Sequence, residues 1–332
     1  MRRLWIKKAA MLGAAAFLLF AFGWVPYFLG GIATTRRFQY NDRENAGLTP
    51  ASFDLKFEEV SFRAPDGVSL SGWWVPAEAA RGTVVLVHGL NRSRIEMVKK
   101  TPFLNAKRWN ALLFDLRHHG KSGGTVSSFG HFEKQDVHAA TEFARQMMIG
   151  SSSRHMETGA HGRSSGPVVL WGVSLGGASA TLAAAEDPKV AGLVCDSSYR
   201  SLRDTVDHHL TLARSWRWWM RVVPRWPVGA EVLYWIGRRG GFDVDAVDVR
   251  AAAARLGGRP ALFVCNSGDR RMPAEIAFDL KAAAGDHARV LVVPGTSHGG
   301  AWRDGTDAYE RAVAEILDEA GTGGGVHVAW TP

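Results

Sequence analysis

Short apolar runs alternate with longer amphipathic segments through most of this chain. The apolar runs are continuous, which is typical of strands buried on both faces of a parallel sheet. They are Thr83–Val87, Ala111–Phe114, Val168–Trp171, Val190–Val194, Ala261–Val264 and Val290–Val293. The pattern between them predicts helices at His131–Met148, Ala178–Ala185 and Pro273–Ala284. This alternation predicts an α/β fold in which helices cover a parallel sheet.

A β-hairpin is predicted ahead of the parallel strands. Lys56–Arg63 and Val68–Val75 both alternate apolar and polar residues, and Asp66-Gly67 lies in the turn between them. Asp-Gly is frequent in hairpin turns because it readily adopts positive φ angles. The hairpin therefore supplies two antiparallel strands beside the parallel ones.

The amino-terminal segment has a different character. No charged residue occurs from Ala9 to Ala33, and four basic residues precede this run. As a helix the run is about 37 Å long, more than the roughly 30 Å hydrocarbon core of a bilayer. We therefore predict a membrane anchor in residues 1–34, with residues 9–33 in the membrane. Because basic residues favour the cytoplasmic side, the rest of this single-pass protein is expected outside the cytoplasm, at the cell membrane.

Export followed by cleavage is the alternative for this segment. Gly31-Ile32-Ala33 offers the small residues of a signal-peptide cleavage site, although the apolar run is longer than an ordinary signal sequence needs. Arg2-Arg3 also resembles part of a twin-arginine signal. Both alternatives still export the domain.

Changes in composition define the predicted domain boundaries. A polar linker in residues 35–54 follows the anchor, the main domain covers residues 55–320, and residues 321–332 form a tail. Within the domain, Gly150–Gly166 is interpreted as a flexible surface insertion, and residues 197–258 as a helical insertion.

The distribution of charge argues against nucleic-acid binding, and the two cysteines argue against a disulfide framework. The 332 residues carry a net charge of +8, but residues 1–44 and 197–242 each hold +5, which leaves −2 elsewhere. The bulk of the protein is not basic, and we predict no nucleic-acid partner. Cys195 and Cys265 each end an apolar run and are interpreted as reduced core residues.

The motif Gly172-Val173-Ser174-Leu175-Gly176 carries the strongest chemical signal. It matches G-x-S-x-G, follows an apolar run and leads directly into the helix Ala178–Ala185. In that context the glycines permit a sharp strand-to-helix turn, which exposes the serine at the carboxyl edge of the sheet. Ser174 is the predicted nucleophile.

A serine nucleophile needs a base, and the base needs an acid that orients it. His298 follows the last predicted strand in a glycine-flanked loop and is the candidate base. Asp269 follows the strand that ends at Cys265 and is the candidate acid. Asp196, directly after the preceding strand, is the alternative acid.

Backbone N–H groups are the candidates for stabilising an oxyanion. The amides of Leu90, after the His88-Gly89 strand end, and of Leu175 form the predicted oxyanion hole. The pair His118-His119 is predicted to brace a loop, because neighbouring residues point apart and no acidic residue completes a ligand set. No metal or organic cofactor is predicted.

Together these residues resemble the α/β-hydrolase family over roughly residues 55–320. The resemblance rests on the His88-Gly89 loop, the Asp115–Ser122 segment, the Gly172–Gly177 turn, Asp269 and His298. It implies an α/β-hydrolase fold with an eight-stranded, mostly parallel sheet flanked by helices and with a helical cap. The N-terminal transmembrane helix predicted above precedes this domain. Within the family, the chain is similar to membrane-anchored bacterial serine hydrolases.

The resemblance also implies an activity, namely hydrolysis of esters, thioesters or amides through an acyl-enzyme. For this chain we predict cleavage of carboxylic ester or related acyl bonds of a small-molecule acyl substrate through an acyl-enzyme on Ser174. A thioesterase or acyltransferase is an alternative, and so is a hydrolase-fold protein that binds without catalysis. Serine at position 174 argues against the dehalogenases and epoxide hydrolases of the family, which use aspartate there.

Members of this family commonly carry a cap over the active site after the sixth strand, and residues 197–258 occupy that place in this chain. Tryptophans and arginines are interleaved there, at Trp216, Trp218, Trp219, Trp226 and Trp235 and at Arg214, Arg217, Arg221 and Arg225. One interpretation is that apolar helix faces cover the pocket while the arginines are solvated. The alternative is that this surface lies on the membrane interface and admits lipid-like acyl substrates.

Overall fold

The computed structural model describes residues 2–35, 45–153, 166–216, 218, 221 and 225–322. Eight strands form one sheet. They are β1 (Glu58–Arg63), β2 (Ser69–Val75), β3 (Gly82–Val87), β4 (Trp109–Phe114), β5 (Val168–Val173), β6 (Val190–Asp196), β7 (Ala261–Asn266) and β8 (Ala288–Val293).

The strand order is β1-β2-β4-β3-β5-β6-β7-β8. The hairpin β1–β2 is antiparallel and joins β4 in antiparallel pairing, whereas every pair from β4 to β8 is parallel. The prediction of an eight-stranded, mostly parallel sheet is confirmed. The order reverses between β3 and β5, so the carboxyl ends of these two strands border the crevice where open α/β sheets bind ligands.

Helices cover both faces of the sheet. After the amino-terminal α1 (Arg2–Leu19) and α2 (Val25–Thr35) they are α3 (Thr101–Ala106), α4 (Glu133–Ser153), α5 (Leu175–Glu186), α6 (Leu202–Trp216), α7 (Arg225–Gly240), α8 (Val249–Ala253), α9 (Glu275–Ala284), α10 (Ala301–Asp304) and α11 (Thr306–Gly321). Alternate residues of β3 enter two separate apolar cores: Val85 and Val87 pack on the face with α4 and α5, and Val84 and Leu86 on the face with α11. A strand buried on both faces must be apolar throughout, which is why these strands appear in the sequence as continuous apolar runs.

The structure extends most predicted elements by a few residues. The helix predicted at His131–Met148 runs from Glu133 to Ser153, and the helix after Ser174 begins at Leu175. Of the insertion predicted at Gly150–Gly166, residues 154–165 lie outside the described residues, as do linker residues 36–44, Arg217, Trp219 and tail residues 323–332.

The apolar amino-terminal segment is one helix from Arg2 to Thr35, interrupted by a π-helical stretch at Phe20–Trp24. Its length and composition suit either a membrane anchor or a signal sequence. The sequence predicts one membrane segment in residues 9–33, whereas the structure gives its first and last parts different surroundings. Residues of α1 are exposed, whereas α2 packs on α7 and buries Pro26, Gly30 and Thr34.

Candidate active site

Ser174 occupies a strained turn between β5 and α5. Its backbone angles are φ 53° and ψ −114°, a left-handed conformation that L-residues rarely adopt. The Ser174 N–H donates to the Asp196 carbonyl at 2.7 Å, which fixes the turn against β6. A Cβ on Gly172 would collide with the backbone of Gly176, and one on Gly176 with the backbone of Val87. The two glycines of the motif are therefore required by backbone contacts.

His298 and Asp269 meet Ser174 at the carboxyl edge of the sheet. Nε2 of His298 lies 2.8 Å from Oγ of Ser174, and Nδ1 of His298 lies 2.7 Å from Oδ2 of Asp269. The histidine loop follows β8 and the aspartate loop follows β7. Parallel neighbours end at the same edge, so two loops from adjacent strands can place a base beside its acid.

The Asp269 carboxylate is held by several donors. Its Oδ1 accepts backbone N–H groups of Arg271 at 2.8 Å and Met272 at 3.2 Å, while Oδ2 faces His298. Burial alone raises the pKa of Asp269, but the hydrogen bonds from His298 and from the backbone outweigh it and hold the pKa below its usual 3.8. The carboxylate is therefore ionised and oriented.

Asp196, the alternative acid, has other partners. Its carboxylate is fully buried and accepts the hydroxyl of Ser197 at 2.8 Å and that of Tyr309 at 3.0 Å. Burial raises the pKa of this aspartate. The structure thus brings Asp269 to His298 and uses Asp196 to support the turn that carries Ser174.

The loop after β3 approaches Ser174 from the neighbouring strand. A Cβ built on Gly89 would lie 3.5 Å from the Ser174 Cβ, and the Gly89 N–H donates to Glu96 Oε2 at 2.7 Å. Leu90 follows Gly89, and Leu175 opens α5 directly after the serine. Both predicted oxyanion-hole residues therefore belong to segments that adjoin the Ser174 side chain.

Histidines 88 and 119 brace the loops around the site. His88 is buried, accepts the Leu116 N–H at 3.0 Å on Nε2 and donates to the Gly89 carbonyl at 2.8 Å from Nδ1. Burial holds the pKa of His88 well below 6.5, so the ring is neutral. His119 accepts the Asn91 N–H at 3.2 Å in the same way. Among the described residues, no group of three or more His, Cys, Asp or Glu is arranged to hold a metal ion.

Ser197 and Tyr309 support the site and were missed by sequence reasoning. The Ser197 hydroxyl accepts the N–H of Gly299 at 3.3 Å and so ties the histidine loop to β6. Tyr309 on α11 bridges Asp196 and the indole N–H of Trp171, 3.1 Å away. The position of Ser197 directly after a strand was a usable signal, whereas nothing local distinguishes Tyr309 from other core residues of α11.

A cavity of about 230 Å³ lies beside the aspartate loop. Its wall is formed by α6 and by the loop and helix that follow β7, and it includes Tyr199, Thr205, His208, Arg271 and Met272. Met272 and Arg271 are the residues whose backbone holds Asp269. The cavity is therefore one loop away from the candidate catalytic residues.

The serine at the strand-to-helix turn, with a histidine and an aspartate supplied by the last two strand loops of this sheet, defines the α/β-hydrolase class. The family model described as serine aminopeptidase S33 (Hydrolase_4) matches residues 78–247, about half of the chain. The chain belongs to this family of α/β hydrolases.

Relatives and structural neighbours agree with that assignment. The uncharacterised protein YqkD of Bacillus subtilis is 22% identical over 267 residues, which cover 79% of this chain and 80% of YqkD. WAV2 of Arabidopsis thaliana, an α/β-hydrolase domain-containing protein, is 22% identical and covers 82% of each chain. The Pyrococcus furiosus esterase Pf2001 superposes with a TM-score of 0.64 at 20% identity, over 82% of this chain and 95% of the esterase. At this identity the likeness establishes the fold.

Proposed function

We propose that this protein is a membrane-anchored serine hydrolase that cleaves carboxylic esters through an acyl-enzyme. The observation that carries the proposal is the continuous hydrogen-bonded path from Ser174 Oγ through His298 to Asp269, with separations of 2.8 and 2.7 Å. The buried, ionised Asp269 orients His298 so that its Nε2 faces the serine hydroxyl. An esterase among the structural neighbours supports the choice of substrate bond.

Each step of the proposed reaction is assigned to one of the predicted site residues. His298 Nε2 accepts the Ser174 proton as Oγ attacks the ester carbonyl, and the amides of Leu90 and Leu175 stabilise the resulting oxyanion. The tetrahedral intermediate collapses, and His298 returns the proton to the departing alcohol. Water then attacks the acyl-enzyme with His298 again as base, releasing the acid and restoring Ser174.

We place the scissile ester at Ser174 and one end of the substrate in the cavity beside the aspartate loop. Its volume of about 230 Å³ suits part of a small acyl ester, and its wall mixes apolar and polar side chains. Residues 197–258 supply α6 to this wall, which supports their proposed role as a cap. No cofactor takes part in the proposed reaction.

The amino-terminal helix supports membrane anchoring of the enzyme. Its exposed α1 carries four basic residues in its first turns, ahead of the apolar run that starts at Ala9, an arrangement that favours a cytoplasmic amino terminus and a hydrolase domain on the other side of the membrane. The proposed location is therefore the extracytoplasmic face of the cell membrane.

Labelling with a fluorophosphonate tests the nucleophile and its acid. The wild type is expected to be labelled, Ser174→Ala to be unlabelled, and His298→Ala and Asp269→Asn to react much more slowly. Asp196→Asn is the matched control, because its carboxylate faces Ser197 and Tyr309. Equal loss in Asp196→Asn and Asp269→Asn would contradict the assigned acid, and an unlabelled, folded wild type would contradict the proposed mechanism.

A further inference from the structure

The last turns of the amino-terminal helix pack on α7 in a defined register. The rings of Tyr27 and Trp235 meet edge to face with centroids 5.0 Å apart. A Cβ on Gly30 would lie 2.7 Å from the Trp235 Cβ, and a Cβ on Gly240 would lie 3.6 Å from Thr34. Contacts advance in the same direction along both helices, so α2 and α7 run parallel.

This register places the start of α7 beside the apolar part of the amino-terminal helix. From Pro227 to Trp235 the helical rise is about 12 Å, and the same rise counted back from Gly30, which meets the Trp235 Cβ, ends near Phe22. The π-helical segment Phe20–Trp24 also contacts α7. Trp226, which precedes Pro227, therefore lies near the level of Ala21, on the membrane side of Tyr27.

Large aromatic side chains are exposed at this end of the cap. Trp216, Trp218 and Trp226, here called the tryptophan face, are 58%, 80% and 81% exposed. Leu19 and Phe20 on the amino-terminal helix are also more than half exposed. Exposure of so much apolar surface to water is unfavourable, and tryptophan favours the boundary between headgroups and acyl chains.

We propose that the tryptophan face is a membrane-docking surface, held in the leaflet next to the domain by the contact of α2 with α7. The inference rests on the proposed anchoring, because only an anchored helix brings the lipid to this level. A bilayer fits this surface because the exposed aromatics continue the apolar surface of the anchor. The exposed Arg221 adds positive charge that anionic headgroups attract.

The docked surface adjoins the candidate active site. The Arg270 guanidinium lies 6.0 Å from the centre of the Trp216 ring, and Arg270 directly follows Asp269 in the chain. The Arg270 carbonyl also contacts Nε2 of His208 on α6 at 2.8 Å. Docking therefore brings the bilayer surface close to the loop that carries the candidate acid.

Site-directed fluorescence on the full-length protein in vesicles tests the proposal. Trp218→Cys and Trp226→Cys are each labelled with the environment-sensitive dye NBD and reconstituted in phosphatidylcholine and phosphatidylglycerol. Native Cys195 and Cys265 are buried, and burial raises the pKa of each thiol to about 11, so both react poorly. Asp307→Cys, exposed on α11 at the other face of the sheet, is the control.

Lipids with a doxyl group near the headgroup are expected to quench NBD at positions 218 and 226 roughly twofold or more, as for groups about 5–10 Å inside the interface. The dye at position 307 is expected to stay unquenched. Adding Gly30→Val, which pushes α2 from α7, is expected to reduce quenching at 218, whereas Gly13→Val, with open space around its Cβ, is not.

Two further measurements separate the possible failures. Resistance to alkaline carbonate extraction reports anchoring, and hydrolysis of a water-soluble short-chain ester reports the enzyme. An anchored, active protein without quenching at 218 and 226 would overturn docking and leave the proposed function standing. Extraction by carbonate would overturn anchoring and docking together. Loss of hydrolysis alone would contradict the proposed reaction and leave the docking proposal standing.

Discussion

The sheet edge that carries Ser174 and the contact between α2 and α7 are built by different forces. At the sheet edge, backbone hydrogen bonds, close glycine contacts and buried polar partners set each position. Between α2 and α7, small residues let two helices approach while large aromatic rings stay partly exposed. The first arrangement is complete within the protein, whereas we infer that the second is completed by lipid. Catalysis and membrane docking should therefore respond to different mutations.

The largest expected effect is on catalysis at the sheet edge. Asp269→Asn is expected to lower kcat/KM for a soluble short-chain ester about 10³–10⁴-fold, because an amide cannot hold the required histidine tautomer. Trp226→Ala is expected to stay within about threefold, since surface sites without shared partners act independently. Steady-state kinetics measures both. Comparable losses in the two variants would show that the cap surface and the chemistry are coupled.

The next largest effect is expected on the stability of the serine turn. Gly176→Ala places a Cβ against the Val87 and His88 carbonyls and is expected to lower the free energy of unfolding by about 3 kcal/mol. Gly123→Ala, whose Cβ would lie 3.4 Å from the Ser69 carbonyl oxygen, is expected to change it by less than about 1 kcal/mol. Denaturant unfolding compares them, and equal stability would contradict the tight packing of this turn.

A smaller loss of stability is expected where the two helices meet. Gly30→Val introduces a Cβ within 2.7 Å of Trp235 and is expected to cost about 1–3 kcal/mol. Gly13→Val, on the exposed α1, meets nothing within 4 Å. Thermal unfolding of both variants in detergent checks this difference. If the two behaved alike, the α2–α7 contact would not contribute to the stability of the fold.

The pH dependence of stability is expected to differ between the sheet edge that carries Ser174 and the contact between α2 and α7. The folded pKa of Asp269 is below 3.8, so the unfolded chain takes up the proton first as the pH falls. The stability from the Asp269 contacts is full above about pH 4 and is lost as the pH drops through the lower folded value. The stability difference between wild type and Asp269→Asn, followed by denaturant titration, should therefore shrink in acid. The difference between wild type and Gly30→Val should not change over the same range.

The smallest expected effect concerns charge on the docking surface. Arg221→Gln is expected to weaken attraction to anionic vesicles by about 1 kcal/mol. NBD quenching at position 218 would then fall modestly at low salt. High salt screens the interaction, so the wild type and the Arg221→Gln variant should converge there. A difference that persisted in high salt would point to an apolar cause.

Sequence patterns were sufficient for the sheet and for the turn that carries Ser174. A strand buried on both faces must be apolar throughout, so β3 to β7 appear as continuous runs. The Ser174 turn needs glycine at 172 and 176 because backbone atoms meet there. The strand requirement acts within one element, and Gly172 meets Gly176 four residues away, so a local pattern can express both. Gly176 meets Val87 of β3 but belongs to the same five-residue motif.

Local patterns of this kind do not identify side-chain contacts between residues that are distant in the chain. Asp196 and Asp269 both follow strands, and only the folded arrangement brings the carboxylate of Asp269 to His298. The support from Tyr309, 113 residues from Asp196, leaves no local signal.

The chain by itself determined an α/β hydrolase fold, a serine on a strained turn and an apolar helix at the amino terminus. The tertiary structure decided which aspartate meets the histidine and which part of the apolar helix packs on the domain. Composition marks residues 9–33 as one apolar run, yet the contact with α7 buries part of α2 and leaves α1 exposed. The physical reason is that apolar character depends on single residues, whereas what an apolar residue contacts depends on the packing of elements distant in the chain.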